Sequence, residues 1–528
     1  MKHQTWALVL FSVGVFMAQL DNGIISAALT TLIYDFEVSP NWGAWTVTIY
    51  TLGLAVSIPV VGKLSDRYGR KRLFLIEVFL FGFGSLLVAL SPSFEMLLVS
   101  RLIQSLGGGG IFLIASSHVL STFPREIQGR ALGALGGMNG IAAVLGPNVG
   151  AFILDLTGSW HWLFLINLPI AAALIGLGIP FIRESRAENS APVDYAGAAI
   201  LALSILSFMY GITNIGGASV VESLADPEVY GFAAAGLALF VLLFFFERGV
   251  ARRGKDPMLP IGLMKKPDYL LTLVLGACSG AILMSVIFIP AYVEQVLGVA
   301  ASKSGYYYTP LALASGIGAG AGGAFVDRKG PVFTMILASV LSIAGAALFP
   351  LWVEATWQMF VASCLLGLGF GIMLGAPLNM LATESAGESK GVALGTLSLF
   401  RQIGMTIAPA VYAGFISRAF LGIGDRIGEA LGGQAGGGAP PWTSGADPAG
   451  QPDYQELMDQ IGQIPVPSVR ETVMNAVRDA VSEGYGNLYW CAAAVALLSL
   501  AATVALSAVR RAGAAGGKAK EEKGAAQN

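Results

Sequence analysis

The chain has 528 residues, of which 55% are hydrophobic and 12% charged, with a mean hydropathy of +0.69 and a formal net charge of −2. A water-soluble domain carries about a quarter charged residues, so this chain cannot hide its apolar surface in one soluble core. Cys278, Cys364 and Cys491 all lie in apolar runs, which excludes a disulfide framework and a CxxC metal site and leaves them as small buried hydrophobes.

A hydrocarbon core about 30 Å thick takes roughly 20 apolar residues per helix. On that ruler the first half of the chain gives spans at Ala7–Ile33, Trp45–Val61, Leu73–Leu90, Met96–Leu120, Ala131–Leu154 and Trp162–Ile182. Two more follow at Tyr195–Ile215 and Tyr230–Phe246. The second half gives Leu270–Val293, Tyr306–Val326, Pro331–Trp352, Met359–Ala382, Val392–Ile416 and Leu488–Val509, fourteen in all. Only Lys2 and His3 precede the first run, which outruns the core of a signal peptide, so no cleaved leader is expected.

The second and third spans are joined by Gly62-Lys-Leu-Ser-Asp66-Arg67-Tyr-Gly69-Arg70-Lys71-Arg72, a tight basic hairpin at a membrane surface. Its glycines permit the turn, Asp66 can accept hydrogen bonds from a helix N-terminus, and the basic cluster holds it on the cytoplasmic side. Gly323-Ala-Phe-Val-Asp327-Arg328-Lys329-Gly330 repeats that spacing between two later spans. Gly129–Leu135 matches Gly391–Leu397, and Pro147 matches Pro409, at an offset of 262, while Asp66 and Asp327 are 261 apart. A near-constant shift across three landmarks marks a duplication.

The expected architecture is an all-α integral membrane protein of two six-helix pseudo-repeats plus an inserted helix pair. Residues 1–190 form the first half, 191–250 the inserted pair and 251–416 the first five helices of the second half. Residues 417–487 are an extracytoplasmic segment, and 488–528 hold the last span and a basic tail. Lys and Arg collect in alternate loops, and Lys303, Arg418, Arg426, Arg470 and Arg478 alone fall on the other side. Both termini are therefore expected in the cytoplasm, with the protein in the cell (inner) membrane. The basic loop Glu247–Asp268 is expected to tie the inserted pair to the second half. Within the outer segment Gly432–Pro452 reads as a flexible run. After it, Ser468 and Glu471 form a capping-box pattern, and Val469, Val473, Val477, Ala480 and Val481 make one apolar stripe before Gly484. This reads as a short amphipathic helix on the membrane face or over a cavity mouth, or as a tolerated insertion.

Charges inside apolar spans are costly and therefore functional candidates. Asp21 lies near the middle of the first span, where a carboxylate balanced between burial and a nearby cation suits a reversible proton carrier or a structural partner for an arginine. Arg101 is a cation available to it, either tuning its proton affinity or forming a purely structural pair. Arg401 sits in the inner third of its span, where snorkelling, a helix tether and substrate contact are all open. Glu77, one turn into its span, pairs with the basic hairpin on the simplest reading, and His118 reads as a satisfied polar residue. Asn139, Asn148, Asn379 and Gln402 either line a cavity or join helices. The glycine runs fit small-xxx-small helix contacts, and Gly316-Ile-Gly-Ala-Gly-Ala follows no strand. With no GxxxxGK[ST] motif and no metal-ligand cluster, neither cofactor nor metal is expected, and energy must come from an ion or substrate gradient.

Gly62–Leu73 resembles the cytoplasmic hairpin signature of the major facilitator superfamily. Asp21, Arg101 with Gln104 and Gly107, and Trp160-His-Trp162-Leu-Phe164-Leu-Ile-Asn167-Leu-Pro169 resemble marks of its fourteen-helix EmrB/QacA-type drug:proton antiporter branch. Gly146-Pro147-Asn-Val-Gly150 resembles its antiporter motif, with Ala142 and Ala151 in place of two glycines, and Gly23 and Thr30 stand where the family often has Thr and Pro. The resemblance implies that Asp66 helps interlock the halves in the outward-open state and that Asp21 and Arg101 act in proton coupling. It implies a non-enzymatic, proton-coupled exporter of hydrophobic or amphipathic compounds such as drugs. Its partners would be that small molecule, protons and the bilayer, with no nucleic acid, and a periplasmic partner is neither implied nor excluded. The alternatives are an exporter of an endogenous lipid or metabolite, with the outer segment aiding release, and a non-transporting membrane sensor.

Overall fold

The computed structural model describes residues 2–186, 194–213, 226–252, 257–384, 386–387, 389–423, 426–427 and 454–525. All regular elements among them are helical. In chain order these are α1 (Lys2–Asp35), α2 (Pro40–Tyr68), α3 (Arg70–Ala89), α4 (Phe94–Gly108), α5 (Ile111–Thr122), α6 (Arg125–Thr157), α7 (His161–Leu165) and α8 (Asn167–Phe181). Then come α9 (Tyr195–Thr213), α10 (Pro227–Arg252), α11 (Ile261–Met264), α12 (Pro267–Ser285), α13 (Ile289–Gln295) and α14 (Ala301–Ser304). The chain ends with α15 (Thr309–Lys329), α16 (Pro331–Trp352), α17 (Thr356–Leu374), α18 (Pro377–Thr383), α19 (Lys390–Leu421), α20 (Tyr454–Gly462) and α21 (Pro467–Ala525).

Thirteen helical stretches are long and apolar enough to cross a bilayer, and α6 adds a fourteenth, bent by 42° between Ala143 and Leu145. Pro147 causes the bend, because it has no N–H for the Ala143 carbonyl and its ring crowds that carbonyl. The span of α4 and α5 is broken at Gly109 and Gly110, and Glu77 of α3 accepts the Gly110 amide at 2.9 Å. Glu77 therefore does not pair with the basic hairpin: the break leaves a helix-start donor inside the bundle, and the buried carboxylate satisfies it.

Within the first half α1 lies against α6 and α8, and α3 against α4 and α8; in the second, α12 lies against α19 and α21, and α16 against α17 and α21. The halves meet along α2 with α19 and along α6 with α15. Glycine makes these two seams close. A Cβ on Gly62 would lie 2.5 Å from the Gly391 carbonyl oxygen, and one on Gly133 would lie 2.6 Å from that of Ala319. The inserted helices α9 and α10 pair with each other, and α9 leans on α2 and α19. Leu201, Ile205 and Met209 of α9 share a buried cluster there with Leu52, Ala55 and Leu399. Beyond α10 the chain is held at Pro257 and Met258, since Glu247 accepts the Met258 amide at 2.8 Å and Lys63 of α2 donates to the Pro257 carbonyl at 3.0 Å.

The outer segment differs from its expected form. Gly432–Pro452 lies outside the described residues. Pro467 takes the first turn of α21, so Ser468 sits inside the helix and not at its cap, and Gly484 does not end it. The apolar stripe faces protein: Val473, Val477, Ala480 and Val481 are buried in the core cluster of the second half, with Leu457 and Ile461 of α20. The same periodicity fits a helix lying on lipid and one packed on protein, and only tertiary structure separates them.

Candidate functional site

Asp21 is fully buried at the middle of the first half. Its Oδ2 accepts from Arg101 Nη1 at 2.7 Å, and its Oδ1 accepts from Gln104 Nε2 at 2.9 Å and Asn167 Nδ2 at 3.0 Å. Four helices build this cluster. Arg101 and Gln104 share one face of α4, three residues apart, and Arg101 Nη1 also donates to Gln104 Oε1 at 2.7 Å. Ser85 of α3 accepts from Gln104 at 2.8 Å and from Asn167, at the start of α8, at 3.2 Å. The Arg101 guanidinium stacks on the Tyr50 ring at 4.1 Å from its centroid and is itself 0% exposed. The carboxyl group is thus enclosed by a guanidinium and two amides, with its side chain fully buried.

The satisfaction is incomplete. Thr46 Oγ1, Tyr50 OH, Arg101 Nη2 and Asn167 Oδ1 are buried around the pair with no hydrogen-bond partner among the described residues. Each such group costs about 1–3 kcal/mol, so the cluster has unused donors and acceptors ready for a second arrangement of its charge. Two residues beyond Asp21 along α1, Gly23 meets Gly146 of α6, where a Cβ on Gly23 would lie 2.7 Å from the Gly146 Cα and 3.0 Å from Pro147 Cδ. Gly146, Pro147 and the buried Gly150 thus place the bent part of α6 directly against the acid-bearing helix.

At the hairpin end two clasps join the halves. Asp66 Oδ1 accepts from Arg70 Nη2 at 2.8 Å, and its Oδ2 accepts the Val392 amide in the first turn of α19 at 3.1 Å. Arg70 is fixed in turn by Ser117 at 2.7 Å. Asp327 accepts the Gly129 and Arg130 amides of α6 at 2.7 and 3.0 Å. Because Gly129 and Arg130 correspond to Gly391 and Val392 under the repeat offset, the two clasps are counterparts, each carboxylate reaching the basic-end start of a helix in the other half. Gly69 and Gly330 make the turns behind them at φ 105° and 84°, a region that side chains resist. Arg67 stacks beside Tyr68, and Arg328 is exposed.

The remaining candidates separate. Arg401 and Gln402 of α19 and Asn139 of α6 line one cavity of about 130 Å³ between the halves. Asn379 instead donates to the Gly375 carbonyl at 3.0 Å and joins α17 to α18. Asn148 is exposed on bent α6, and His118 lies 3.1 Å from Ser185 Oγ, buried as a structural polar group. Asn167 as a partner of Asp21, Ser85 as the acceptor behind the two amides and Tyr50 beneath Arg101 are not among the sequence-derived candidates. Gln104 and Asn167 carried a signal, as amide side chains inside apolar spans, whereas Ser85 and Tyr50 had none.

A helical membrane bundle of two pseudo-equivalent halves, joined by counterpart clasps and enclosing a buried acid, has the build of a secondary transporter. The Major Facilitator Superfamily model matches residues 11–409, and the chain belongs to that family. It is 56% identical over 510 residues to the uncharacterized MFS-type transporter YfiU of Bacillus subtilis, covering 97% of this chain and 98% of that one. It is 28% identical to Multidrug resistance protein 3 of the same organism, over 89% and 88% of the two chains. A Multidrug resistance protein B homolog of Mycobacterium tuberculosis is 30% identical, over 76% and 74%. Among solved structures, the human organic anion transporter MFSD10 (TETRAN) superposes with a TM-score of 0.52 at 16% identity, covering 78% of this chain and 94% of that chain, a likeness of fold alone.

Proposed function

We propose that the chain is a proton-coupled exporter of hydrophobic or amphipathic compounds, working by alternating access, in the manner of the fourteen-helix EmrB/QacA-type antiporters. The observation that carries this reading is the sealed Asp21–Arg101 pair with its surrounding unpaired polar atoms. Protonating Asp21 removes the charge that holds Arg101, and Arg101 Nη2, Tyr50 OH and Asn167 Oδ1 supply the groups for a new arrangement. Gly23 transmits a shift of α1 to the bent part of α6, which lines the seam between the halves. With the basic hairpins in the cytoplasm, both clasps close that face, so the conformation described is the outward-facing one. Releasing Asp66 and Asp327 from their helix starts would let the halves rock to the other state.

The relatives named for multidrug resistance support an exporter of drug-like cargo. The test is efflux by purified protein in proteoliposomes under an imposed pH gradient. Asp21→Asn is expected to abolish gradient-driven transport while the protein stays folded. Undiminished transport in that variant removes Asp21 from the coupling step.

A further inference from the structure

α19 carries a cation that no carboxylate among the described residues neutralises. Arg401 Nε and Nη2 are buried without a hydrogen-bond partner, and none of the ion pairs among the described residues includes it. It follows Lys390, the first residue of α19, by eleven positions. At 1.5 Å per residue that places it about 17 Å along a helix of 32 residues, inside its membrane-spanning stretch Lys390–Phe420. A tether to a neighbouring helix would show as a hydrogen bond, and these two atoms make none.

The space beside it belongs to both halves. The cavity of about 130 Å³ takes Ile58, Phe112 and Asn139 from the first half and Ser398, Arg401 and Gln402 from the second. Two fully buried acids of the first half are engaged elsewhere, Asp21 by Arg101 and Glu77 by the Gly110 amide. The same cavity is otherwise walled by apolar Ile58, Phe112, Leu113 and Leu374. A half-buried guanidinium with no carboxylate partner among the described residues, facing an apolar wall between the halves, matches a ligand with one oxyanion on an apolar body.

We infer that the cargo is an amphipathic organic anion whose charged end binds Arg401, with Asn139 and Gln402 beside it as hydrogen-bonding neighbours. This rests on the transport reading and narrows its substrate class. The experiment measures binding of naphthoate, naphthylmethanol and naphthylmethylammonium to the full chain in nanodiscs, three probes that share a ring system and differ in charge. The wild-type protein should bind naphthoate about tenfold more tightly than the other two, the scale of one charge-assisted contact. Arg401→Gln should erase that preference while leaving the weaker naphthylmethanol affinity, Arg401→Lys should keep part of it, and Arg401→Glu should turn it toward naphthylmethylammonium. Thermal melts identify any variant that fails to fold, and the wild-type comparison alone still decides. Equal binding of all three probes to the wild type, or an unchanged preference in folded Arg401→Gln, overturns the assignment. If vesicles move no solute under a pH gradient while naphthoate selectivity still follows the charge at position 401, the transport reading falls and the binding assignment stands.

Discussion

Replacing Arg101 by glutamine tests the centre of the first half. Arg101 Nη1 provides one of three hydrogen bonds to Asp21, and it is the positive charge in contact with that acid. Both side chains are 0% exposed, so water cannot take over when the guanidinium goes. Removing one partner of such a pair costs about 3–5 kcal/mol, because the other charge stays buried and uncompensated. Loss of the stacking on Tyr50 adds about 0.5–2 kcal/mol. Removing both charges, in Asp21→Asn with Arg101→Gln, leaves neutral amides beside Gln104 and Asn167, and neutral replacement of a buried pair is close to energetically even. The double variant should therefore recover most of the single loss, with a coupling of about 3 kcal/mol or more. Unfolding free energies measured in bicelles for the wild type, both singles and the double give the cycle. Single effects that add to within about 0.5 kcal/mol would show that the pair does not form as described.

The clasps and the amide shell give further expectations. Asp66→Asn and Asp327→Asn each weaken a charge-assisted contact worth about 1.5–3 kcal/mol, so each should open the hairpin end more often. A cysteine placed at buried Thr396 should then react faster with a thiol reagent, and unchanged labelling in both variants would show that the clasps do not hold that end closed. Ser85→Ala deprives Gln104 and Asn167 of a shared acceptor and should lower stability by about 1–3 kcal/mol, read in the same bicelle assay; a neutral result means the two amides re-pair without it.

Much of the scaffold could be read from residue order. Fourteen crossings follow from apolar run length, and the counterpart clasps follow from the offset between Asp66 and Asp327 and between Gly129 and Gly391, because a duplicated chain repeats its contacts. The pairing of Asp21 with Arg101 was within reach, since a buried charge requires an opposite one. Its amide shell was not, because Gln104, Asn167 and Ser85 come from three helices whose facing sides depend on packing. Glu77 was misplaced for a local reason: proximity to Arg72 in sequence outweighed an amide exposed by a helix break more than thirty residues away. Arg401 gave its residue type and its place along the span but not the cavity it lines, which depends on how α19 packs against the first half. The outer helix showed its apolar stripe without showing what covers it.

The two clasps follow the pattern of an isologous contact, in which position i of one copy meets position j of another and j meets i. Two separate copies of one ancestral half would form both contacts across a twofold axis with no covalent link. Fusion into one polypeptide adds chiefly local concentration. It also frees each copy to diverge, which fits an ion pair confined to one half and a lone guanidinium confined to the other.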